Sequence, residues 1–373
     1  MRAKEILIMA ALCLAGPGAG AQFYTNGTEP FSVKWSQIQT DNYRVIYPRG
    51  LDSLARVYAR TLEQAAQVVG NSAGASPNLN YTRRMPVILR PYAAYSNGQV
   101  TWTPRRIELQ TQPDPYDPEP TPWERQLIIH ESRHSSQMQF GAGRPFRFWN
   151  ILTGQLAPGA LSAIYPGPAF LEGDAVVTET ALSRGGRGRT ADFLEYYRVA
   201  FAGGDFRDFW KWRYGSQKAY TPDYYRAGYV ALAGIRTLYD VPDFTARYFK
   251  RIYDKHGIAF FNLDGTVKDV AGKSFNKAFR EVSDSLGAFW ERDEKARAPF
   301  IRTEPLMPAP RRFTEYSDLA VAGDTLYAVR KSLTSPEELV SIDKDGKEKV
   351  ISVFSASTAG LCYSSLTDRL YWS

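Results

Sequence analysis

Cysteine and histidine are scarce in this chain of 373 residues. Of its two cysteines, Cys13 lies within an apolar N-terminal run from Ile6 to Ala15. Removal of that run would leave Cys362 as the only thiol, which excludes an internal disulfide and leaves core burial, together with any bound metal, as the source of stability. The chain has only three histidines, and two of them, His130 and His134, stand four residues apart.

Long apolar runs are also missing. A transmembrane helix needs roughly 20 apolar residues, and the run from Ile6 to Ala15 is shorter than that. Basic residues precede the run and small residues up to Ala21 follow it, which is typical of a secretory signal peptide. We therefore predict a signal peptide over residues 1–21, a secreted or periplasmic protein, and no membrane span after the signal peptide. A buried N-terminal helix and a lipoprotein anchor at Cys13 are the alternatives.

No long segment of the chain is dominated by charge of a single sign. The net charge is +7, but Lys and Arg are scattered and no nucleic-acid-binding module accompanies them, so we expect no nucleic-acid partner. The densest basic run, RGGRGR at Arg184–Arg189, is short and rich in glycine, which predicts a flexible loop. A hydrophobic content of 44% with 23% charged residues excludes a disordered chain and indicates a globular one.

The apolar periodicity predicts strands early in the chain and helices later. A first strand is expected at 43–47, and a helix at 51–69 is expected to end at Gly70. Further strands are expected at 85–89, 99–103 and 106–111. Further helices are expected at about 121–140, 169–183, 191–201, 222–239, 243–256 and 274–295. Strands followed mostly by helices predict an α+β domain over residues 22–295.

The composition changes after this domain. Residues 296–312 are rich in proline and basic residues, which predicts a linker. In residues 313–373, Asp324–Tyr327 (DTLY) recurs 44 residues later as Asp368–Tyr371 (DRLY), and Asp343–Gly346 is a hairpin signal. That period is typical of a β-propeller blade, and one blade cannot bury its own faces. We interpret the segment as an incomplete, propeller-like piece; a small sheet packed on the first domain is the alternative.

The neighbouring histidines belong to an HExxH motif inside a predicted helix. His130 and His134 share one face of that helix, so both imidazoles can bind one metal ion. Glu131 lies beside them, where it can act as general base on a metal-bound water. The helix is expected to begin with a capping box, with Thr121 at the N-cap and Pro122 at the first helical position.

A third metal ligand is required, because catalytic zinc takes three protein ligands and leaves one position for water. The remaining histidine, His256, lies far down the chain. Glu172 and Glu179 are better placed, since they are seven residues apart and lie on one face of the next helix. We expect Glu172 to bind the metal and Glu179 to hold a ligand histidine by its other ring nitrogen. A solvated acidic face is the alternative.

HExxH followed by a helix reading LEGxAxxxE, here Leu171–Glu179, resembles the gluzincin zinc peptidases. The resemblance covers roughly Tyr43 to Glu291. It implies a zincin-like domain with a mixed sheet, an active-site helix and a helical lobe. It also implies Zn²⁺ as cofactor, a water nucleophile, a peptide or protein substrate, and an edge strand, here residues 99–109, that aligns the substrate. The insertion at 141–168 is a departure from many aminopeptidases of the group.

Gluzincins often use a tyrosine or histidine to stabilise the oxyanion that forms during hydrolysis. The segment Thr221–Tyr229 carries two candidates at a well-capped helix start. Tyr225 is the first choice and Tyr229 the second. A place for both rings in the hydrophobic core is the alternative.

Two other functions compete with a peptidase. The chain can be a non-catalytic zincin scaffold whose propeller-like segment recognises a surface glycan or protein. It can also be a metal-dependent hydrolase of a non-peptide substrate, with the apolar stretch Phe146–Tyr165 lining a lipid-facing cleft. The intact HExxH and Glu172 favour the peptidase over the scaffold.

Overall fold

The computed structural model describes residues 29–372 except 94, 115–118, 145, 217–218, 255–258, 302 and 355–359. The predicted signal peptide and His256 lie outside the described residues. The chain divides into two compact units, one up to Ala160 and the other from Leu161. The predicted α+β class with a mixed sheet is confirmed, and the predicted domain limits at 22–295, 296–312 and 313–373 remain predictions.

The first unit contains a five-stranded sheet with the strand order β1-β2-β3-β5-β4. The two central pairings, β2 with β3 and β3 with β5, are parallel, and the outer pairings are antiparallel. The strands are β1 (Trp35–Gln39), β2 (Tyr43–Pro48), β3 (Met85–Arg90), β4 (Gly98–Trp102) and β5 (Arg105–Gln110). Four of the five lie where the apolar alternation predicts them, and β4 is an edge strand.

Helix α1 (Asp52–Ala73) connects two parallel strands, as such a crossover requires. Its buried residues recur at helical spacing, among them Ala55, Leu62 and Val69. The predicted end at Gly70 is wrong, because the helix continues and ends at Gly74 in the left-handed conformation. Gly70 serves packing instead: a Cβ there would lie 3.1 Å from the Cα of Ser76, where the chain turns back past the helix.

Helix α2 (Trp123–Ala142) carries the HExxH motif and is buried on nearly all sides. Its predicted capping box is wrong: Pro122 is the N-cap, with an extended ψ of 134°, and no side chain of the described residues caps the helix start. The start is held by the Trp123 indole, which donates to the carbonyl of Gln110 at 3.0 Å. Arg133, 1% exposed, donates to the Ser72 hydroxyl at 3.0 Å and so fixes α2 on α1.

Two short helices follow within the predicted insertion, α3 (Arg147–Thr153) and α4 (Leu156–Ile164). None of the residues of α3 is buried. Gly154 separates the two helices with φ of +60°, a value that favours glycine.

The second unit is mainly helical up to Arg297. The predicted helices at 169–183, 191–201, 222–239, 243–256 and 274–295 are confirmed within a few residues, and two helices were not predicted. In order they are α5 (Pro168–Leu182), α6 (Ala191–Ala202), α7 (Phe209–Tyr214), α8 (Tyr224–Leu238), α9 (Phe244–Asp254), α10 (Ala259–Ala271) and α11 (Phe275–Arg297). Buried aromatic rings such as Phe170, Phe209 and Tyr248 form its core.

Helices α5 and α8 touch backbone to backbone at a pair of glycines. A Cβ on Gly173 would lie 2.2 Å from the carbonyl carbon of Gly228. A Cβ on Gly228 would lie 1.7 Å from the carbonyl oxygen of Ala169. Any larger residue at either position would therefore force the helices apart. This close contact sets the helix that carries Glu172 beside the helix that carries Tyr225.

The chain after residue 313 forms antiparallel sheets. Four strands form a meander in the order β6-β7-β8-β9, and a separate pair follows. They are β6 (Thr314–Ala322), β7 (Thr325–Ser332), β8 (Glu338–Ile342), β9 (Glu348–Val353), β10 (Leu361–Ser364) and β11 (Arg369–Trp372). The hairpin predicted at Asp343–Gly346 is confirmed, with Gly346 at φ of +75°. Within the described residues these strands close neither a barrel nor a propeller.

No helix in the described part of the chain is both long enough and apolar enough to cross a membrane.

Candidate metal centre

His130 and His134 lie one turn apart on α2 and face each other. Their Nε2 atoms are 3.1 Å apart, and their ring planes meet at 84°. Two nitrogens bound to one tetrahedral zinc at about 2.05 Å would be about 3.3 Å apart. The observed separation is close to that value, so the two rings can bind a single ion.

A neighbouring amide contacts the ring of His134. Its Nδ1 lies 2.9 Å from Oε1 of Gln137, one turn further along α2. An amide oxygen only accepts hydrogen bonds, so this contact favours the tautomer with the proton on Nδ1, in which Nε2 of the neutral ring keeps its lone pair. That lone pair is the one a metal ion requires.

Glu131 is 4% exposed and lies against the edge strand β4. A Cβ on Gly98, the first residue of that strand, would lie 2.8 Å from Oε1 of Glu131 and 3.0 Å from its Cγ. The same Cβ would lie 3.0 Å from Cδ2 of Leu127. Gly98 therefore leaves the space that the carboxylate of Glu131 occupies.

Glu172 completes the group of candidate ligands. One ligand atom each from His130, His134 and Glu172 lies within 4.8 Å of the other two. The predicted third ligand is thus brought together with both histidines, and the three residues can bind a metal ion. Two imidazoles and a carboxylate suit several divalent metals, so the donor set alone does not select zinc.

Glu179 is held by an arginine. Its side chain is 1% exposed, and Arg187 donates to it from the backbone N (3.2 Å), Nε (2.7 Å) and Nη2 (3.1 Å). At His134, the side chain that contacts the ring nitrogen Nδ1 is that of Gln137. The predicted role of Glu179 as partner of a ligand histidine remains a prediction.

Arg187 lies in the RGGRGR run, and that run is not a flexible loop. Residues Arg187–Arg189 form a 3-10 turn. The two glycines next to Arg187 are tightly packed. A Cβ on Gly186 would lie 2.4 Å from the Cα of Thr180, and a Cβ on Gly188 would lie 2.3 Å from the ring of Tyr229. The glycines therefore permit close packing of the arginine turn on α5 and α8.

Neighbouring residues stabilise the positive charge of Arg187. Burial would lower the pKa of this guanidinium, but the negative charge of Glu179 outweighs burial, and Tyr225 and Glu172 add to that effect. The net result is a pKa well above the usual value. Arg187 therefore places a permanent positive charge close to the candidate ligand Glu172.

Tyr225 and Tyr229 have different surroundings. The guanidinium of Arg187 lies over the ring of Tyr225, 5.3 Å from its centroid. Tyr229 packs under Gly188 and edge-on against Phe193, with ring centroids 5.7 Å apart. Tyr229 is therefore a packing residue, whereas Tyr225 belongs to the group around Arg187.

Three residues of this centre were not predicted from the sequence, namely Gln137, Gly98 and Arg187. Gln137 carries a usable signal, because it stands three residues after a candidate ligand on the same helix face. Arg187 carries another, since glycines on both sides of an arginine can indicate close packing as well as flexibility. Gly98 has no local signal, because its contact with Glu131 joins distant parts of the chain.

A scan against protein-family models found no matching family, and a search of curated proteins found no match.

Proposed function

We propose that this chain is a zinc-dependent peptidase of the gluzincin kind. The observation that carries the proposal is the grouping of His130, His134 and Glu172, with Glu131 adjacent on the same helix. Two imidazoles and one carboxylate are a common ligand set of catalytic zinc, which keeps a fourth position for water. The α+β fold with a mixed sheet is compatible with a zincin-like domain.

Zinc held there would polarise the scissile carbonyl and lower the pKa of an attacking water. Glu131 takes the proton of that water and delivers it to the leaving amine. Because Gly98 has no side chain, it leaves the space that the carboxylate of Glu131 occupies. The Tyr225 hydroxyl stabilises negative charge that develops on the carbonyl oxygen, and Arg187 fixes its ring.

Two further parts of the proposal rest on the sequence. The N-terminal pattern up to Ala21 directs the protein out of the cytoplasm, where it meets peptide or protein substrates. The four-stranded meander β6–β9 belongs to a propeller-like segment, in keeping with the 44-residue recurrence of the DTLY pattern.

The test is a Glu131→Gln variant assayed with a panel of unstructured protein, peptide and ester substrates. Glutamine keeps the shape of the side chain but cannot take a proton, so we expect peptide hydrolysis to fall by about 10²–10⁴-fold. The metal content should stay at the wild-type level. Glu124→Gln, the same change two turns earlier on α2, serves as the control and should retain activity. Full activity of Glu131→Gln would refute this mechanism, and hydrolysis of esters alone would refute a peptide substrate.

A further inference from the structure

Helix α3 turns its apolar residues outward. Phe148 is 66% exposed, Ile151 75% and Leu152 65%, and their spacing puts all three on one face of the helix. Leu156, at the start of α4, is 61% exposed. These four residues form what we term the apolar patch. A cluster of exposed apolar residues is typical of an interaction site.

Along the chain, the charged residues next to the apolar patch are of one sign. Arg144 and Arg147 are both exposed beside it. Between Glu131 and Glu172 the sequence contains no Asp and no Glu, although the rest of the chain is rich in both. In this stretch of the chain the patch therefore combines bulky apolar side chains with cationic neighbours and no acidic ones.

An aromatic residue lies at the margin of the apolar patch. Trp149 is partly buried and packs edge-on against Phe148, with ring centroids 5.6 Å apart. Tryptophan is enriched where apolar and aqueous phases meet, because its ring is apolar and its N–H is polar.

We propose that the apolar patch docks on the surface of an anionic lipid bilayer. The apolar side chains enter the boundary between headgroups and acyl chains, and Arg144 and Arg147 pair with lipid phosphates. A second copy of the chain fits less well, because a two-fold contact through this face would bring arginines against arginines. This interaction needs neither a metal ion nor catalysis, so it stands apart from the proposed function.

Co-sedimentation with vesicles tests the proposal, using phosphatidylcholine alone and phosphatidylcholine mixed with phosphatidylglycerol. We expect the wild-type chain to bind the mixed vesicles and to bind more weakly at high salt. The double variant Ile151→Glu, Leu152→Glu should bind roughly a hundredfold more weakly. Arg144→Ala with Arg147→Ala should weaken binding by roughly thirtyfold. Because α3 has no buried residue, these variants should keep the wild-type circular dichroism and melting temperature.

The control is Val199→Glu with Leu366→Glu, which removes two other exposed apolar residues and adds the same charge. It should bind as well as the wild type, and all variants share the same N-terminus. Wild-type protein left in the supernatant with mixed vesicles would overturn the proposal, as would equal losses in the control and patch variants. A wild-type dimer that the patch variant dissociates, without vesicle binding, would assign this face to self-association instead.

Discussion

Replacement of Arg187 by methionine should destabilise the second unit strongly. Glu179 is 1% exposed and receives two side-chain hydrogen bonds from Arg187, so the variant would leave a buried carboxylate without its guanidinium. Loss of one partner of a buried ion pair costs about 3–5 kcal/mol. For a unit of this size that corresponds to a fall in melting temperature of roughly 6–20 °C.

Urea unfolding followed by tryptophan fluorescence would measure this loss. Arg189→Met is the matched control: it lies in the same turn, is exposed, and donates one hydrogen bond to the carbonyl of Thr180. The control should cost no more than about 1 kcal/mol. The double variant Glu179→Gln, Arg187→Met should be more stable than Arg187→Met alone, because the buried carboxylate of Glu179 is then replaced by a neutral amide. Equal, small losses in both arginine variants would refute the assigned role of Arg187.

Two other variants probe the first unit. Gly98→Ala should reduce peptide hydrolysis by roughly a hundredfold at unchanged metal content, because the added Cβ displaces the Glu131 carboxylate. The control is Gly159→Ala, because a Cβ on Gly159 would meet no atom closer than 3.6 Å. Burial raises the pKa of Glu108, but hydrogen bonds from Arg106 and Arg90 outweigh it, so the pKa is lowered. Its stabilising contribution is thus present above the unfolded pKa near 4.5 and is lost as pH falls below it. The difference in unfolding free energy between wild type and Glu108→Gln should shrink on acidification, and a constant difference would contradict this.

Elements with a clear apolar period could be predicted from the sequence. Strand β2 and helix α1 each bury one face, and the period alone located them. Helices α3 and α7 could not be predicted in this way, since they have seven and six residues and are held by their surroundings. The end of α1 was misplaced because a glycine needed for close packing looks the same in sequence as one that ends a helix.

The candidate ligands were predictable because metal chemistry restricts both residue type and spacing. HExxH identifies His130 and His134, and the next helix offers Glu172. Their supporting contacts were not predictable to the same degree. The pairing of Glu179 with Arg187 and the approach of Gly98 to Glu131 depend on how helices and strands pack, which no local pattern records.

The most direct test of the account is the metal content of the purified protein, measured by mass spectrometry for wild type, His134→Ala and His256→Ala. The account predicts one zinc per chain in the wild type, its loss in His134→Ala, and its retention in His256→Ala, which changes the only histidine outside the HExxH motif. Absence of zinc from the wild type after reconstitution, or its retention in His134→Ala, would contradict the proposed metal centre.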